Sequence, residues 1–383
     1  MKILIAPDKF KGALSAREAA DNIAKGLRDA LPDAKIEIVP MADGGEGTAE
    51  AICSARDCSW VHCKAHDPLG RLIDARYAWI GDEKLAVMEM SEAAGMRRLA
   101  ESERDPLRST TFGVGEMILD AVSRGASEII IGLGGSATND AGFGMARALG
   151  FRFFADDREL NRDVRDLRFL TRLAPSPQSS PPRRGGREAP GEGIWRVPKI
   201  IAAVDVKNPL LGENGATRVF GPQKGATPDQ IQQLEFALVR LADVVEQDFG
   251  FDYRDEPGAG AAGGLGFGLM SFCGAKIRPG FDVVAEAVGL EAKIEDADIV
   301  ITGEGSLDRQ TLEGKTPAGV ARLARKLGKP VFAIVGRATN DPEVREVFDA
   351  VYANTRLGMS QEENMKRAAE LLRENACAMA KTL

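Results

Sequence analysis

The stretch ILIAPDKFKG, residues 3–12, indicates the fold class. Its first four residues are apolar and predict a short buried strand, and the polar remainder predicts a loop. Ser15 and Glu18 then have the capping-box spacing of a helix start, and apolar residues recur at helical spacing up to Pro32. The segment Ile-Glu-Ile-Val at 36–39 predicts a second strand. This order predicts a β-α-β unit with polar loops at the strand ends.

The C-terminal part of the chain repeats this pattern. Apolar runs at 298–302, 331–335 and 350–353 predict strands, and the segments 317–327 and 361–381 predict helices. Because parallel strands need crossover helices of this kind, both ends of the chain are predicted to be halves of one parallel sheet.

The middle of the chain has a different pattern. Alternating runs within 67–96, separated by a Gly-Asp pair, predict an antiparallel meander, and two further apolar strands follow. The sequence therefore predicts a two-domain α/β protein. Residues 65–285 form an inserted α/β domain, and residues 1–64 with 286–383 form a discontinuous one. Residues 174–193 are rich in Pro, Ser, Gly and Arg and predict a disordered insertion.

Charge and apolar content limit the partners and the location. The 50 basic and 57 acidic residues give a net charge of −7, which disfavours a large nucleic-acid or anionic-membrane surface. No apolar stretch approaches the roughly 20 residues of a membrane helix, and the N-terminal run is too short for a signal peptide. We therefore expect a cytoplasmic protein that binds neither nucleic acid nor membrane. The oligomeric state stays open, a homodimer included.

The five cysteines predict reduced thiols, since an odd number in a long chain does not suit a disulfide framework. Cys53, Cys58, His62, Cys63 and His66 lie close in sequence, but without a CxxC pair they only weakly suggest a structural zinc site. With only two histidines in the chain, a histidine-based catalytic triad is also poorly supported.

A glycine-rich loop follows the apolar run at 129–131 and precedes an apolar helical stretch. A loop of this kind offers backbone N–H groups to a phosphate or a carboxylate, although a simple tight turn remains the alternative. Its candidate binding residues are Gly134, Gly135, Ser136, Asn139 and Asp140.

Acids and lysines follow three strands of the predicted parallel sheet. If those strands are neighbours, the side chains meet at one edge, where carboxylates beside lysines suit Mg²⁺ and phosphate chemistry. Each residue alone could equally be a solvated loop charge or a helix cap. The set after the first two strands comprises Asp8, Lys9, Lys11, Asp43 and Glu46. Glu304 and Asp308 are further candidates because they follow a strand of the same domain, where open α/β sheets bind ligands.

Asp205 follows a strand and lies between two valines, which suggests a buried carboxyl with a raised pKa. We interpret it as the general base, with Asp8 as the second choice and a buried cap as the structural alternative. Lys224 in a Gly-Pro-Gln-Lys-Gly segment and Arg71 in Asp-Pro-Leu-Gly-Arg are further candidates for binding substrate or phosphate.

Two glycine motifs match known signatures incompletely. Residues 258–263 fit the dinucleotide fingerprint but follow Arg-Asp-Glu-Pro and no strand, so small-residue packing is favoured over a nicotinamide site. Gly314-Lys315-Thr316 resembles the end of a Walker A loop. Arg309 stands where that loop requires glycine, so a conventional P-loop is absent.

Six blocks in order resemble the type-1 glycerate kinase family of bacteria, from the first strand to near the C-terminus. They are residues 6–12, 42–48, 67–71, 132–140, 204–209 and 302–305. The segment at 174–193 departs from the family pattern as an insertion between blocks.

The resemblance implies an ATP-dependent, Mg²⁺-requiring kinase that phosphorylates D-glycerate, usually at the 2-hydroxyl. It also implies a flavodoxin-like domain that carries a restriction-enzyme-like inserted domain, with the active site in the cleft between them. On this interpretation Asp43 and Glu46 hold Mg²⁺, Lys9 and Lys11 neutralise substrate charge, and the loop around Ser136 anchors an anion. Phosphorylation at the 3-hydroxyl, a nicotinamide-dependent oxidoreductase and a non-catalytic sensor of organic acids are the alternatives.

Overall fold

The structure is a computed structural model, and it forms two compact units. It describes residues 1–161, 163–174, 198–312, 314–356 and 358–383. Unit 1 comprises residues 1–57 and 279–383, and unit 2 comprises residues 58–278. The predicted domain boundaries lie seven residues further along the chain at both junctions. Apart from residue 174, the predicted insertion at 174–193 lies outside the described residues.

The N-terminal segment of unit 1 has the predicted strand-helix-strand order. Its elements are β1 (Lys2–Ile5), α1 (Ala16–Ala30), β2 (Lys35–Ile38) and α2 (Thr48–Ala55). The predicted capping box of α1 is confirmed, because the Glu18 N–H donates to Ser15 Oγ and the Ser15 N–H donates to the Glu18 carboxylate.

Unit 2 contains most of the remaining strands. Its strands are β3 (Ser59–His66), β4 (Leu72–Ile80), β5 (Leu85–Glu89), β6 (Glu128–Gly132), β7 (Arg152–Ala155), β8 (Arg158–Leu160), β9 (Arg172–Ala174), β10 (Lys199–Val204) and β11 (Lys276–Pro279). Its helices are α3 (Ser91–Ala94), α4 (Phe112–Ser123), α5 (Phe143–Ala148), α6 (Ala216–Phe220), α7 (Pro228–Phe249) and α8 (Ala261–Cys273). Short 3₁₀ helices cover Met96–Arg98, Glu101–Glu103, Val164–Phe169 and Pro222–Lys224.

The C-terminal segment completes unit 1. Its helices are α9 (Gly280–Ala287), α10 (Leu290–Glu295), α11 (Arg309–Leu312), α12 (Thr316–Lys326), α13 (Pro342–Arg345), α14 (Gln361–Lys366) and α15 (Ala368–Ala380). Its strands are β12 (Ile299–Thr302), β13 (Ser306–Leu307), β14 (Val331–Val335), β15 (Arg337–Ala338) and β16 (Ala350–Ala353).

The main sheet of unit 1 is parallel and has the order β2-β1-β12-β14-β16. The predicted joining of the two chain ends in one parallel sheet is therefore confirmed. On one face of this sheet α1 packs closely against α15, where a Cβ on Gly26 would lie 2.2 Å from the carbonyl oxygen of Arg373. The carboxyl ends of β1 and β12, which are neighbours, lie at the same edge.

The main sheet of unit 2 is mixed, with the order β3-β4-β5-β6-β10-β11. β4 and β5 pair antiparallel, as the meander predicts. β3, which lies before the predicted meander, pairs antiparallel with β4, whereas β5, β6 and β10 pair parallel. A small antiparallel sheet has the order β8-β7-β9. Packed phenylalanines fill part of the core of this unit, among them Phe143, Phe153 and Phe272. The predicted α/β class is confirmed.

The prediction that every thiol is reduced is wrong. Cys53 at the end of α2 and Cys58 just before β3 form a disulfide, because the short connection between these elements returns the chain to the same place. Cys63 is a buried thiol, and burial raises its pKa to about 11. His66 pairs through Nδ1 with Glu116 at 2.8 Å.

None of the described helices is long and apolar enough to cross a membrane.

Candidate active site

The loops that follow β1 and β12 run side by side at the carboxyl edge of the unit 1 sheet. The N–H of Ala6 donates to the carbonyl of Ile301, and the N–H of Asp8 donates to the carbonyl of Gly303 at 2.8 Å. This pairing continues the strand register past the last strand residues. It places Asp8 and Glu304 at the same edge, as the sequence predicts.

Asp8 is a buried carboxyl that accepts two hydrogen bonds. Its side chain is 5% exposed. One carboxylate oxygen accepts the N–H of Lys9 at 2.6 Å, and the other accepts the hydroxyl of Thr316 at 2.7 Å. Burial and the negative charge of Asp43 raise the pKa of Asp8 to about 6. Asp8 can therefore take up a proton near neutral pH, as a general base requires.

Glu304 is a second buried acid beside Asp8. Its Oε1 accepts the hydroxyl of Thr311 at 2.6 Å. Burial raises the pKa of Glu304 to about 7, and the hydrogen bond from Thr311 and the charge of Lys315 oppose this rise only in part. The charges of Asp8 and Asp308 add to it. Asp8 therefore interacts electrostatically with both Asp43 and Glu304, and Glu304 interacts in the same way with Asp308.

The loop after β2 is tied to the loop after β1. The ammonium of Lys9 donates to the carbonyl oxygen of Glu46 at 2.5 Å, and Asp43 Oδ1 accepts the N–H of Gly45 at 3.2 Å. The side chain of Glu46 is exposed, and that of Asp43 is half-buried. Lys11 is exposed and makes no side-chain hydrogen bond or ion pair with any described residue.

The donor set at this edge fits Mg²⁺ that is held jointly with phosphate. Among the described residues no three acidic, histidine or cysteine side chains form a ready metal cage. Mg²⁺ usually takes only one or two protein carboxylates and fills its shell with water and substrate phosphates. Asp43 and Asp8 carry like charges that act on each other. A divalent cation would relieve this repulsion.

In unit 2, the glycine loop between β6 and α5 offers backbone N–H groups at the surface. Gly135 is exposed and has a φ of +69°, a conformation that favours glycine. The N–H groups of Gly134, Gly135 and Ser136 have no acceptor among the described residues. The carbonyl of Gly135 accepts the N–H of Met96, so the N–H of Ser136, on the opposite side of the trans peptide, points away from that contact.

The second half of this loop has an internal role. Asp140 accepts the N–H groups of Thr111, Gly142 and Gly144 at 2.9 to 3.1 Å and also the Thr111 hydroxyl. The sequence predicts an external anion at the start of α5, but the carboxylate of Asp140 occupies that position. Asn139 is fully buried and donates to the hydroxyl of Thr217. Both side chains hold the loop in place.

Lys224 lies beneath the same loop and not at the surface. It is 2% exposed, and its ammonium donates to the carbonyl of Thr138 at 2.7 Å. Burial lowers its pKa to about 7, and the charge of Asp140 opposes this change. Lys224, which the sequence predicts to bind substrate or phosphate, therefore supports the loop from inside the protein.

Arg71 and Asp205 lack the surroundings that their predicted roles require. The guanidinium of Arg71 pairs with Asp67 at 2.5 Å and with Glu103 at 2.7 Å, so two carboxylates already neutralise it. Asp205 follows β10 at the edge that also carries the glycine loop, but its side chain is exposed. The prediction that Asp205 is buried is therefore wrong, because the valines beside it in sequence do not enclose the carboxyl.

The glycines at 258–263 serve close packing. A Cβ on Gly260 would lie 2.2 Å from the carbonyl oxygen of Pro209, and one on Gly263 would lie 1.9 Å from that of Thr138. The segment leads from a loop into α8, without the preceding strand of a dinucleotide site.

The predicted site omitted Thr311, Thr316 and Lys315. The two hydroxyls hold the buried acids, and the lysine acts electrostatically on Glu304. The only sequence signal was the Gly-Lys-Thr block at 314–316, which fails the spacing rule of a P-loop.

The fold and the unit 1 edge together define an α/β enzyme suited to phosphoryl transfer, with buried acids, lysines and hydroxyls where the parallel strands end. The model of the glycerate kinase family matches residues 3–383, and the chain belongs to this family.

Named relatives match almost the whole chain. This chain is 42% identical to a glycerate kinase of Halalkalibacterium halodurans over 98% of its own length and 96% of that protein. It is 44% identical to the glycerate 2-kinase of Escherichia coli K12 over 92% of this chain and 90% of that protein. A crystal structure from Salmonella typhimurium LT2, assigned as glycerate kinase 2, is 41% identical, with a TM-score of 0.83 over 100% of this chain and 98% of that one.

Proposed function

We propose that this chain transfers the terminal phosphoryl group of ATP to the 2-hydroxyl of D-glycerate, giving 2-phosphoglycerate and ADP. Membership of the glycerate kinase family supports the reaction, and the Escherichia coli relative named glycerate 2-kinase supports the position. The structural observation that carries the chemistry is the buried carboxyl of Asp8, next to other acids and to lysines.

The strand order of unit 1 supports a reaction site at the carboxyl edge of its sheet. Counted along the unit 1 chain, the order is 2-1-3-4-5, which is that of flavodoxin-like folds. Ligands of such sheets bind where the order reverses, here between β1 and β12, and Asp8 and Glu304 follow these two strands. For the mixed sheet of unit 2 we propose a restriction-enzyme-like fold.

We assign the unit 1 residues to charge neutralisation and metal binding. Asp43 and Glu46 would hold Mg²⁺ directly or through water, and the ion would supply neutralisation of the phosphate charge. Lys9 and Lys11 would neutralise phosphate or glycerate. Glu304 lies near both Asp8 and Asp308, and Glu304 and Asp308 would complete the polar edge.

In unit 2 the N–H groups of Gly134, Gly135 and Ser136 would bind an oxyanion. These three neighbouring donors have no acceptor among the described residues, and they suit the oxygens of a carboxylate or a phosphate. Asn139, Asp140 and Lys224 support this loop from inside.

Asp8 is the general base in this proposal. It would accept the proton of the attacking glycerate hydroxyl on one of its carboxylate oxygens, each of which also accepts one hydrogen bond from the protein. Its burial and raised pKa meet the conditions predicted for Asp205, which is exposed.

The test is a coupled assay of ADP release with purified protein, with and without D-glycerate and Mg²⁺, followed by phosphorus NMR of the product. We expect ADP formation that requires both additions and a 2-phosphoglycerate signal. Glycerate binding without ADP release would favour a sensor and contradict the kinase proposal. A dominant 3-phosphoglycerate signal would contradict only the position.

A further inference from the structure

The Gly314-Lys315-Thr316 block lies at the proposed active edge of unit 1. Its threonine begins α12, and the hydroxyl of that threonine donates to Asp8 at 2.7 Å. This contact links residues 308 positions apart in the sequence. The backbone of Lys315 is therefore anchored beside the buried acid that we assign as the base.

The ammonium of Lys315 lies near one of these acids, Glu304, but forms no ion pair with it. Its positive charge acts on the carboxyl of Glu304. Nevertheless, Lys315 makes no side-chain hydrogen bond or ion pair with any described residue, and it is only half-buried. None of the described residues therefore occupies the three ammonium donors, whose hydrogen bonds a ligand at this edge can accept.

The block also borders open space. Gly314 has a φ of +121°, which a side chain would rarely tolerate, and no heavy atom of the described residues, apart from its chain neighbours, lies within 4 Å of the place where a Cβ would stand. Among the described residues, therefore, none blocks the approach of a ligand to the backbone at this point.

We propose that Lys315 binds the phosphoryl oxygens of the nucleotide. A lysine ammonium is a compact cation that binds phosphate as a point charge, and the carboxyls of Glu304 and Asp8 at the same edge suit a metal-bound polyanion better than a lone carboxylate. This inference rests on ATP as the donor in the proposed function. Lys315 would lie against the β- or γ-phosphate, and Thr316 would position Asp8.

A matched lysine lies beyond the other end of the same helix. Lys329 is half-buried and likewise makes no side-chain hydrogen bond or ion pair with the described residues. Its charge also acts on one carboxylate, Asp296. It precedes β14, so it belongs to the opposite edge of the sheet.

The experiment compares Lys315→Met with Lys329→Met in the full chain. Isothermal titration with Mg²⁺ measures the affinities for AMP, ADP, a non-hydrolysable ATP analogue, D-glycerate and 2-phosphoglycerate. For Lys315→Met we expect about ten- to hundredfold weaker binding of the ATP analogue, the usual effect of losing a hydrogen bond to a charged group. AMP and D-glycerate should bind as to the wild type, and Lys329→Met should change nothing. Lys315→Arg should restore part of the affinity.

Several results would overturn the assignment. These are unchanged affinity for the ATP analogue in Lys315→Met, an equal loss in Lys329→Met, or a loss confined to D-glycerate or 2-phosphoglycerate. Thermal melting shows whether Lys315→Met is folded, and Lys315→Gln serves as the second variant if it is not. Wild-type protein that binds no nucleotide overturns the proposed function as well. Normal turnover in Lys315→Met with unchanged nucleotide affinity overturns only the role of Lys315.

Discussion

Each unit contains a buried aspartate, and the two aspartates have different surroundings. Asp8 in unit 1 accepts one backbone N–H and one hydroxyl, and the charge of Asp43 acts on it. Asp140 in unit 2 accepts three backbone N–H groups and one hydroxyl; burial raises its pKa, and these hydrogen bonds oppose that rise only in part. Burial alone therefore does not identify a reactive acid. The number of donors separates a carboxyl that holds helices together from one that remains available for chemistry.

The largest expected effect is on turnover in unit 1. Asp8→Asn should lower kcat by about 10²- to 10⁴-fold, the usual contribution of a general base. Asp205→Asn should retain near-normal kcat because its side chain is exposed. Steady-state kinetics with both substrates measure this difference. If Asp205→Asn loses turnover and Asp8→Asn keeps it, the base belongs to unit 2.

The next effect is on the stability of unit 2. Asp140→Ala leaves buried N–H groups at α4 and α5 without an acceptor, and should lower the free energy of unfolding by about 3 kcal/mol. Urea unfolding followed by circular dichroism measures the loss. Asp140→Asn, which retains an acceptor oxygen, is the matched control and should lose less. Wild-type stability in Asp140→Ala would show that these hydrogen bonds are dispensable.

A smaller effect is a change in the pH dependence of stability. The pKa of Asp8 is raised from 3.8 to about 6 in the folded state. The contribution of Asp8 to the free energy of unfolding is therefore fully present below pH 3.8 and is lost as the pH rises through 6. Asp8→Asn should therefore be more stable than the wild type at pH 8, by about 1 to 3 kcal/mol, and equal to it near pH 4. Thermal melts across this range provide the measurement. A difference that is constant with pH would contradict the buried, charged state of Asp8.

The smallest expected effect concerns residues 176–192. Their composition predicts that they contribute little to the core, so excision should change stability by only about 1 kcal/mol or less through loop closure. Turnover should stay near normal. A fall of several degrees in Tm together with lost activity would show that the segment is structural.

Local patterns predicted the fold well. The capping box at Ser15 and the apolar runs of β1, β12 and β14 each act within a few residues, and the sequence displays them directly. The antiparallel pairing of β4 and β5 was predictable for the same reason, since a Gly-Asp turn separates two alternating runs.

Contacts between distant residues were not predictable in the same way. The hydrogen bond from Thr316 to Asp8 spans almost the whole chain, and no local rule selects this threonine. The flanking valines of Asp205 suggested burial, but neighbours in sequence do not enclose a side chain at the end of a strand. The same limit applies to Lys224, whose burial depends on the packing of the loop above it.

The position of β1 in the middle of the unit 1 sheet has a consequence for synthesis on the ribosome. Its partner β2 follows within about forty residues, but its other partner β12 is separated from them by the whole of unit 2. At roughly 5 to 20 residues per second, the ribosome needs on the order of 10 to 40 seconds to make that stretch.

During this interval one edge of β1 has no β12 to pair with, although Ile3, Leu4 and Ile5 are fully buried in the finished protein. Unit 2 is continuous in the chain and can fold while the N-terminal segment waits. The nascent chain therefore exposes an apolar strand edge, the type of surface that chaperones cover and that aggregates when it is left free.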